Sequence, residues 1–327
     1  MDLPLKSFEL SITWIWDDQQ LSARATKIIN KIFESSKNSL LKLVIPPLGL
    51  LSGLVIPEFE NVRILYLSHD ESYEDYNSGP AMFPPLFEMA EHFPNLRELT
   101  ATFLTEDNYF STYEPLQPMR KVELLRIVCE TEYDETLMSL TPNVKTLLVC
   151  ETGDHTPAMN FKAIAKHLKT LENLGWHIHA ESKEDLRSSC ALDSVVTGFS
   201  TKTCKKLAAK FRKEEDLDQQ TVATYDKYRK KTSILKLSAL KRFDMSFVLK
   251  QDLDETSDSE FICCEESDCD CSAYDEGNRD AAGFYRGTLL YKSCLTKVSQ
   301  LFAFNLMPDL DVNIINRYTS NKYCSRR

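Results

Sequence analysis

The chain has 327 residues, 43% of them hydrophobic and 27% charged, which excludes a wholly disordered polymer and is enough for one extended repeat array or two or three compact domains. Its net charge of −10 belongs to residues 252–280, which hold 12 carboxylates and one arginine; by difference the rest is close to neutral, so the global charge says little about the partner of the folded part. The ten cysteines do not read as a secreted disulfide framework, and Met1-Asp2 followed by Trp14, Trp16, Asp17 and Asp18 does not read as a leader, so reduced thiols in the cytosol or nucleus are expected.

In chain order, the first element is a strand with apolar residues at Leu5, Phe8 and Leu10, an apolar-x-x-apolar-x-apolar spacing. Leu21 to Phe33 follows as a helix, with Leu21, Ala25, Ile28, Ile29 and Ile32 at three- and four-residue steps. The same strand spacing returns at Leu40/Leu43/Ile45, inside the most apolar stretch of the chain, Leu40 to Pro57. That stretch also carries Lys42, Pro46, Pro47, two glycines and Pro57, so it is expected to be a buried strand and an apolar loop, with no membrane span.

A string then repeats itself: Asn61-Val62-Arg63-Ile64-Leu65, Asn95-Leu96-Arg97-Glu98-Leu99 and Asn143-Val144-Lys145-Thr146-Leu147. Two copies follow a proline, in Phe93-Pro94-Asn95 and Thr141-Pro142-Asn143; proline stops a preceding helix and Asn suits the turn into a strand. Looser copies begin at Val122, Leu171, Leu192 and Leu240, and most gaps between copies fit one strand plus a returning helix, such as the one read at Phe161 to Leu168. The expected fold is therefore α/β: a leucine-rich-repeat-like solenoid of irregular repeats over residues 1–250, with a curved parallel sheet and outer helices. Thr201 to Lys213 reads as a further helix and Thr221 to Lys231 as a second. Residues 251–283 read as an acidic, cysteine-containing disordered insertion, and 284–327 as a C-terminal helix, Leu289 to Phe304, with a last strand at Leu310 to Ile314. In that last strand Asn313 stands where the spacing asks for an apolar residue.

The Asn-Val/Leu-Arg/Lys-x-Leu string, preceded by proline and separated by helices, resembles the irregular repeats of F-box/leucine-rich-repeat proteins over roughly residues 5–250. The resemblance implies a substrate receptor of an SCF-type ubiquitin ligase, in which an F-box docks on the Skp1 adaptor of a cullin and the repeats hold the client. The chain departs from regular members at the ninth repeat position, occupied by residues such as Asp70, Leu104 and Thr152 in place of Asn or Cys. Met1-Asp2-Leu3-Pro4 leads almost directly into the first strand, so docking on Skp1 and a cullin is expected only if an F-box is encoded upstream.

In an alternating strand the residues between the buried ones face the other side. This exposes Glu9 and Ser11, Tyr66 and Ser68, Thr100 and Thr102, Arg126 and Val128, Leu148 and Cys150, Gly175 and His177, and Asp244 and Ser246. The partner-binding expectation centres on Tyr66, Arg126, Val128, Leu148 and His177, with Ser68 and Asp244 beside them, as a concave face for a protein client of a monomeric receptor. Cys263, Cys264, Cys269 and Cys271 lack the paired spacing of structural zinc, and no metal site is expected there; His177 and His179 read as surface histidines. Ser257, Ser267 and Ser272 each precede a carboxylate by three residues and are candidates for acidophilic kinases. Residues 202–242 hold 13 basic residues against five acidic, which supports the alternative of a nucleic-acid-associated protein; a second alternative is a stand-alone repeat scaffold unconnected with ubiquitin. No phosphate loop, nucleophile elbow, zinc-protease motif or kinase set occurs, so neither a catalytic residue nor a cofactor is expected.

Overall fold

Apolar residues spaced as above must reach one core while each strand's backbone groups find partners, and the chain meets both demands with parallel pairing. The computed structural model describes residues 4–10, 23–45, 54–67, 86–103, 117–129, 135–152, 159–180, 190–212, 233–249 and 297–316. Strands β1 (Ser7–Glu9), β2 (Lys42–Ile45), β3 (Ile64–Leu67), β4 (Glu98–Phe103), β5 (Leu124–Cys129), β6 (Thr146–Thr152), β7 (Asn173–Ala180), β8 (Arg242–Leu249) and β9 (Asp311–Asn316) form one sheet in chain order, every neighbouring pair parallel. Parallel neighbours need a return crossover. Helices α1 (Ala23–Ser36), α2 (Leu86–His92), α3 (Glu135–Leu140), α4 (Phe161–His167), α5 (Cys190–Thr197), α6 (Thr201–Arg212) and α7 (Lys297–Phe302) lie in these crossovers.

Leu43, Leu65, Leu99, Leu125, Leu147, Leu174 and Phe243 occupy one register row and are buried in the same core as Phe33, Met89, Leu137, Met138, Phe161, Ile164 and Val196 of the helices. Fully burying such a side chain is worth about 1.5–3 kcal/mol. At the β1 end the core is aromatic: Phe33 meets Phe8 and Phe59 edge-on, each at 5.5 Å, and Phe59 stacks on Phe93 at 5.7 Å. A sheet covered on both faces reads as continuous apolar runs. These strands alternate, in keeping with helices that share a core with one face only.

Seven strands are entered through the same turn. The N–H of Val62, Leu96, Val122, Val144, Leu171, Leu240 and Leu310 donates to the carbonyl three residues earlier at 3.0–3.3 Å. The recurring asparagine then ties each turn to the one before it: Nδ2 of Asn61, Asn95 and Asn143 donates to the carbonyls of Asn38, Glu60 and Arg120 at 2.8–2.9 Å. The next position but one carries charges that pair along the same edge, Arg97 with Glu123 at 3.8 Å, Lys145 with Glu123 at 3.2 Å and Lys241 with Glu172 at 3.0 Å. Exposed pairs of this kind contribute little stability.

Two expectations need correction. Leu192/Val195/Thr197 was expected as a strand and is helix α5: Leu192 and Val196, four residues apart, are buried, and Asp193 of the same helix accepts from Ser299 N at 3.2 Å and Ser299 Oγ at 2.6 Å on α7. Gly198, at φ 72°, ends α5 in the left-handed region that glycine favours, and Ser200 Oγ accepts from Thr203 N at 3.2 Å at the start of α6. The three-residue step from Leu192 to Val195 suits a helix as well as it suits the strand template. The second correction concerns the last strand. β9 forms, yet its inward residue is Val312, paired with Phe243, because one residue fewer separates Leu310 from the strand than in the preceding copies. Asn313 pairs with Asp244 and faces outward.

Helices read at 21–33, 161–168 and 201–213 correspond to α1, α4 and α6; of the helix read at 289–304, the described part is α7 and a 3-10 turn at Phe304–Leu306. The readings on residues 221–231 and 251–283, including Ser257, Ser267, Ser272 and the four clustered cysteines, lie outside the described residues.

Removing one turn tie should weaken the sheet without unfolding it: Asn143→Ala should lower the unfolding free energy by about 1 kcal/mol, against 2–5 kcal/mol or so for Leu147→Ala, as read by urea titration. Equal losses would contradict this ranking. Glu135 on α3 accepts from Lys166 Nζ at 3.0 Å and pairs with His167 Nε2 at 3.1 Å on α4, and these partners, Lys166 first, hold its carboxyl below the ordinary value of 4.5. A lowered folded value means a contribution present above the unfolded value and lost as pH falls through the folded one. Glu135→Gln should therefore flatten the acid side of the stability–pH curve, and curves that stay parallel from neutral to acid pH would refute the assignment.

Candidate functional site

Two outward rows cross the face away from the helices. Val44, Tyr66, Thr100, Arg126, Leu148, Gly175 and Asp244 form one, and Val128, Cys150, His177 and Ser246 form the other, two residues further along the strands. Tyr66, Arg126, Val128, Leu148, His177 and Asp244 all lie on this face and are half-buried. Arg126, Val128, Leu148 and His177 adjoin one another on β5, β6 and β7, whereas Tyr66 stands two strands away across Thr100. Ser11, Ser68 and the Thr102 side chain lie outside the described residues.

Several of these groups already have partners. The Lys42 ammonium sits 5.0 Å from the Tyr66 ring centroid, so that part of the face presents a cation and an aromatic together. Asp244 receives Arg242 Nε at 2.9 Å and 2.8 Å on its two oxygens, and the carboxylate holds the guanidinium more firmly protonated than an isolated one. Asp244 is thus half of an ion pair on the outward face. His177 Nδ1 is hydrogen-bonded to the Ser246 hydroxyl, and Ser246 is buried.

Gly175 explains how Leu148 and His177 come together. A Cβ at this position would stand 2.6 Å from Leu148 Cδ2 and 3.7 Å from His177 Nε2, so Leu148 lies across the bare backbone of β7. Thr100 and Cys150 are also buried on this face.

A third outward row, Lys42, Ile64, Glu98, Leu124, Thr146, Asn173, Arg242 and Asp311, was not singled out from the sequence. Its signal was present, because the same two-residue alternation extends one step toward the start of each strand. It sets Ile64 two residues before Tyr66 on β3 and Leu124 two residues before Arg126 on β5, with Glu98 of β4 between them.

Among the described residues no three His, Cys, Asp or Glu side chains are grouped to hold a metal, and no helix is long and apolar enough to cross a membrane. No protein-family model matches the chain, and no curated protein matches it.

Because the end of the Leu148 side chain can swing aside, Gly175→Ala should cost only about 1 kcal/mol in denaturant unfolding. In a Leu148→Ala background that cost should vanish, since the two positions share one space. The same penalty in both backgrounds would show that Leu148 does not fill the gap above Gly175.

Proposed function

We propose that this chain is a leucine-rich-repeat-type solenoid and a binding module, whose sheet face away from the described helices recognises another protein. The observation that carries this reading is the registered set of half-buried apolar and aromatic side chains Val44, Ile64, Tyr66, Leu124, Val128 and Leu148, with the charges of Lys42, Glu98 and Arg126 interspersed among them. Protein interfaces mix apolar, aromatic and charged side chains in this way, and their energy concentrates in a few aromatic and arginine anchors. The strand order also supports a repeat array, since nine parallel strands in chain order arise when each new strand adds to the same edge.

As a finer reading, the module is the substrate-recognition part of an SCF-type ubiquitin ligase acting in the cytosol or nucleus without a cofactor. Support for it comes from the Asn-Val/Leu-Arg/Lys-x-Leu resemblance, and it requires an F-box to reach Skp1 and a cullin. A stand-alone repeat scaffold uses the same face without that machinery. The nucleic-acid reading has one observation in its favour, the exposed Lys202, Lys205 and Lys206 on α6. Phosphate contacts of that kind are salt-dependent, so retention on nucleic acid that falls steeply with salt would favour it.

The test is affinity purification with the tagged chain. Tyr66→Ala with Val128→Asp should reduce recovery of the bound proteins at least about tenfold, as loss of interface anchors does, while circular dichroism stays unchanged. Recovery of the same proteins by wild type and variant would remove the sheet face as the binding surface; their recovery without Skp1 and a cullin would remove the ligase reading alone.

A further inference from the structure

Cys150, His177 and Ser246 are directly paired on β6, β7 and β8, so a thiol, an imidazole and a hydroxyl stand side by side on the face away from the described helices. Adjacent strands are about 4.8 Å apart, which brings the side chains of paired positions into contact range. Ser246, only 2% exposed, hydrogen-bonds His177 Nδ1 and fixes the plane of the ring. The Nε2 edge lies beside Gly175. Nucleophilic thiols are made by a neighbouring base that a third group holds in place. Cys150 forms no disulfide and is 7% exposed.

We propose that Cys150 is a modification site for hydrogen peroxide, with His177 accepting and returning the thiol proton and Ser246 positioning the imidazole. His177 takes the proton from the thiol, and the thiolate sulfur attacks one peroxide oxygen. The S–O bond forms as the O–O bond breaks, and the departing hydroxide takes the proton back from the imidazolium as water. Sulfur is oxidised by two electrons to the sulfenic acid and the second peroxide oxygen is reduced to water. The site does not depend on the partner-binding reading of the same face.

Cys204 is the control within the same molecule. It is fully buried, with its Sγ 3.9 Å from the Thr197 hydroxyl, in the separate core formed by Phe199, Leu207, Val298 and Phe302.

The full chain is pulsed with hydrogen peroxide in the presence of dimedone, and the adduct at each cysteine is quantified by peptide mass spectrometry. Cys150 should react at least about tenfold faster than Cys204, with a rate that reaches its plateau at a lower pH than free cysteine measured alongside. His177→Gln should slow Cys150 by roughly tenfold and leave Cys204 unchanged, and Ser246→Ala should slow it less. Equal rates at the two cysteines, or an unchanged Cys150 rate in folded His177→Gln protein, would overturn the proposal. If that variant does not fold, the wild-type profile decides: a plateau at lower pH than free cysteine supports the site, and a profile matching free cysteine removes it.

Discussion

The turn that closes before each strand is the constraint on which the rest of the sheet depends. One backbone bond, from the first apolar residue to the carbonyl three positions earlier, sets the phase of every residue that follows. Because side chains alternate at each step, a slip of one residue would turn the leucine row out of the core and the outward rows into it. At three of these turns an Asn side chain ties the turn to the one before it. Core, pairing and outward face are therefore consequences of one local geometry repeated along the chain.

The last strand illustrates how strict this dependence is. With one residue fewer between turn and strand, the chain keeps its pairing with β8 by placing Val312 where the spacing alone would have placed Asn313. The turn bond from Leu310 to Met307 is retained at 3.0 Å, so the adjustment is confined to the short link between turn and strand. The structure thus preserves the inward and outward rows at the expense of the sequence spacing.

Much of the sheet was legible from the sequence, because Leu65, Leu99, Leu125, Leu147, Leu174 and Phe243 recur at a fixed distance from a turn and period two has one structural meaning over such runs. Short helices were less so: α2 and α3, of seven and six residues, were not read, whereas α4, also of seven, was. The segment at Leu192 misled because its three-residue step belongs to both patterns. On the outward face the alternation identified which residues share a side, while pairings such as Arg242 with Asp244 and His177 with Ser246 arise from neighbouring strands or skipped positions that no linear pattern records. Gly175 could be read as a gap in a row of side chains, but only the structure places Leu148 across it.

A face built in this way can vary its outward residues without disturbing the core that carries them, since the inward row alone supports the fold. That separation is what suits the sheet to recognition, and it rests on the registered ladder being continuous. Backbone amide hydrogen exchange on the full chain tests this most directly. The account predicts that the amides of β4 through β7 exchange slowest and as one block, with protection declining toward β1; fast exchange at Leu125, Leu147 or Leu174, or separate protection of neighbouring strands in the centre, would contradict it.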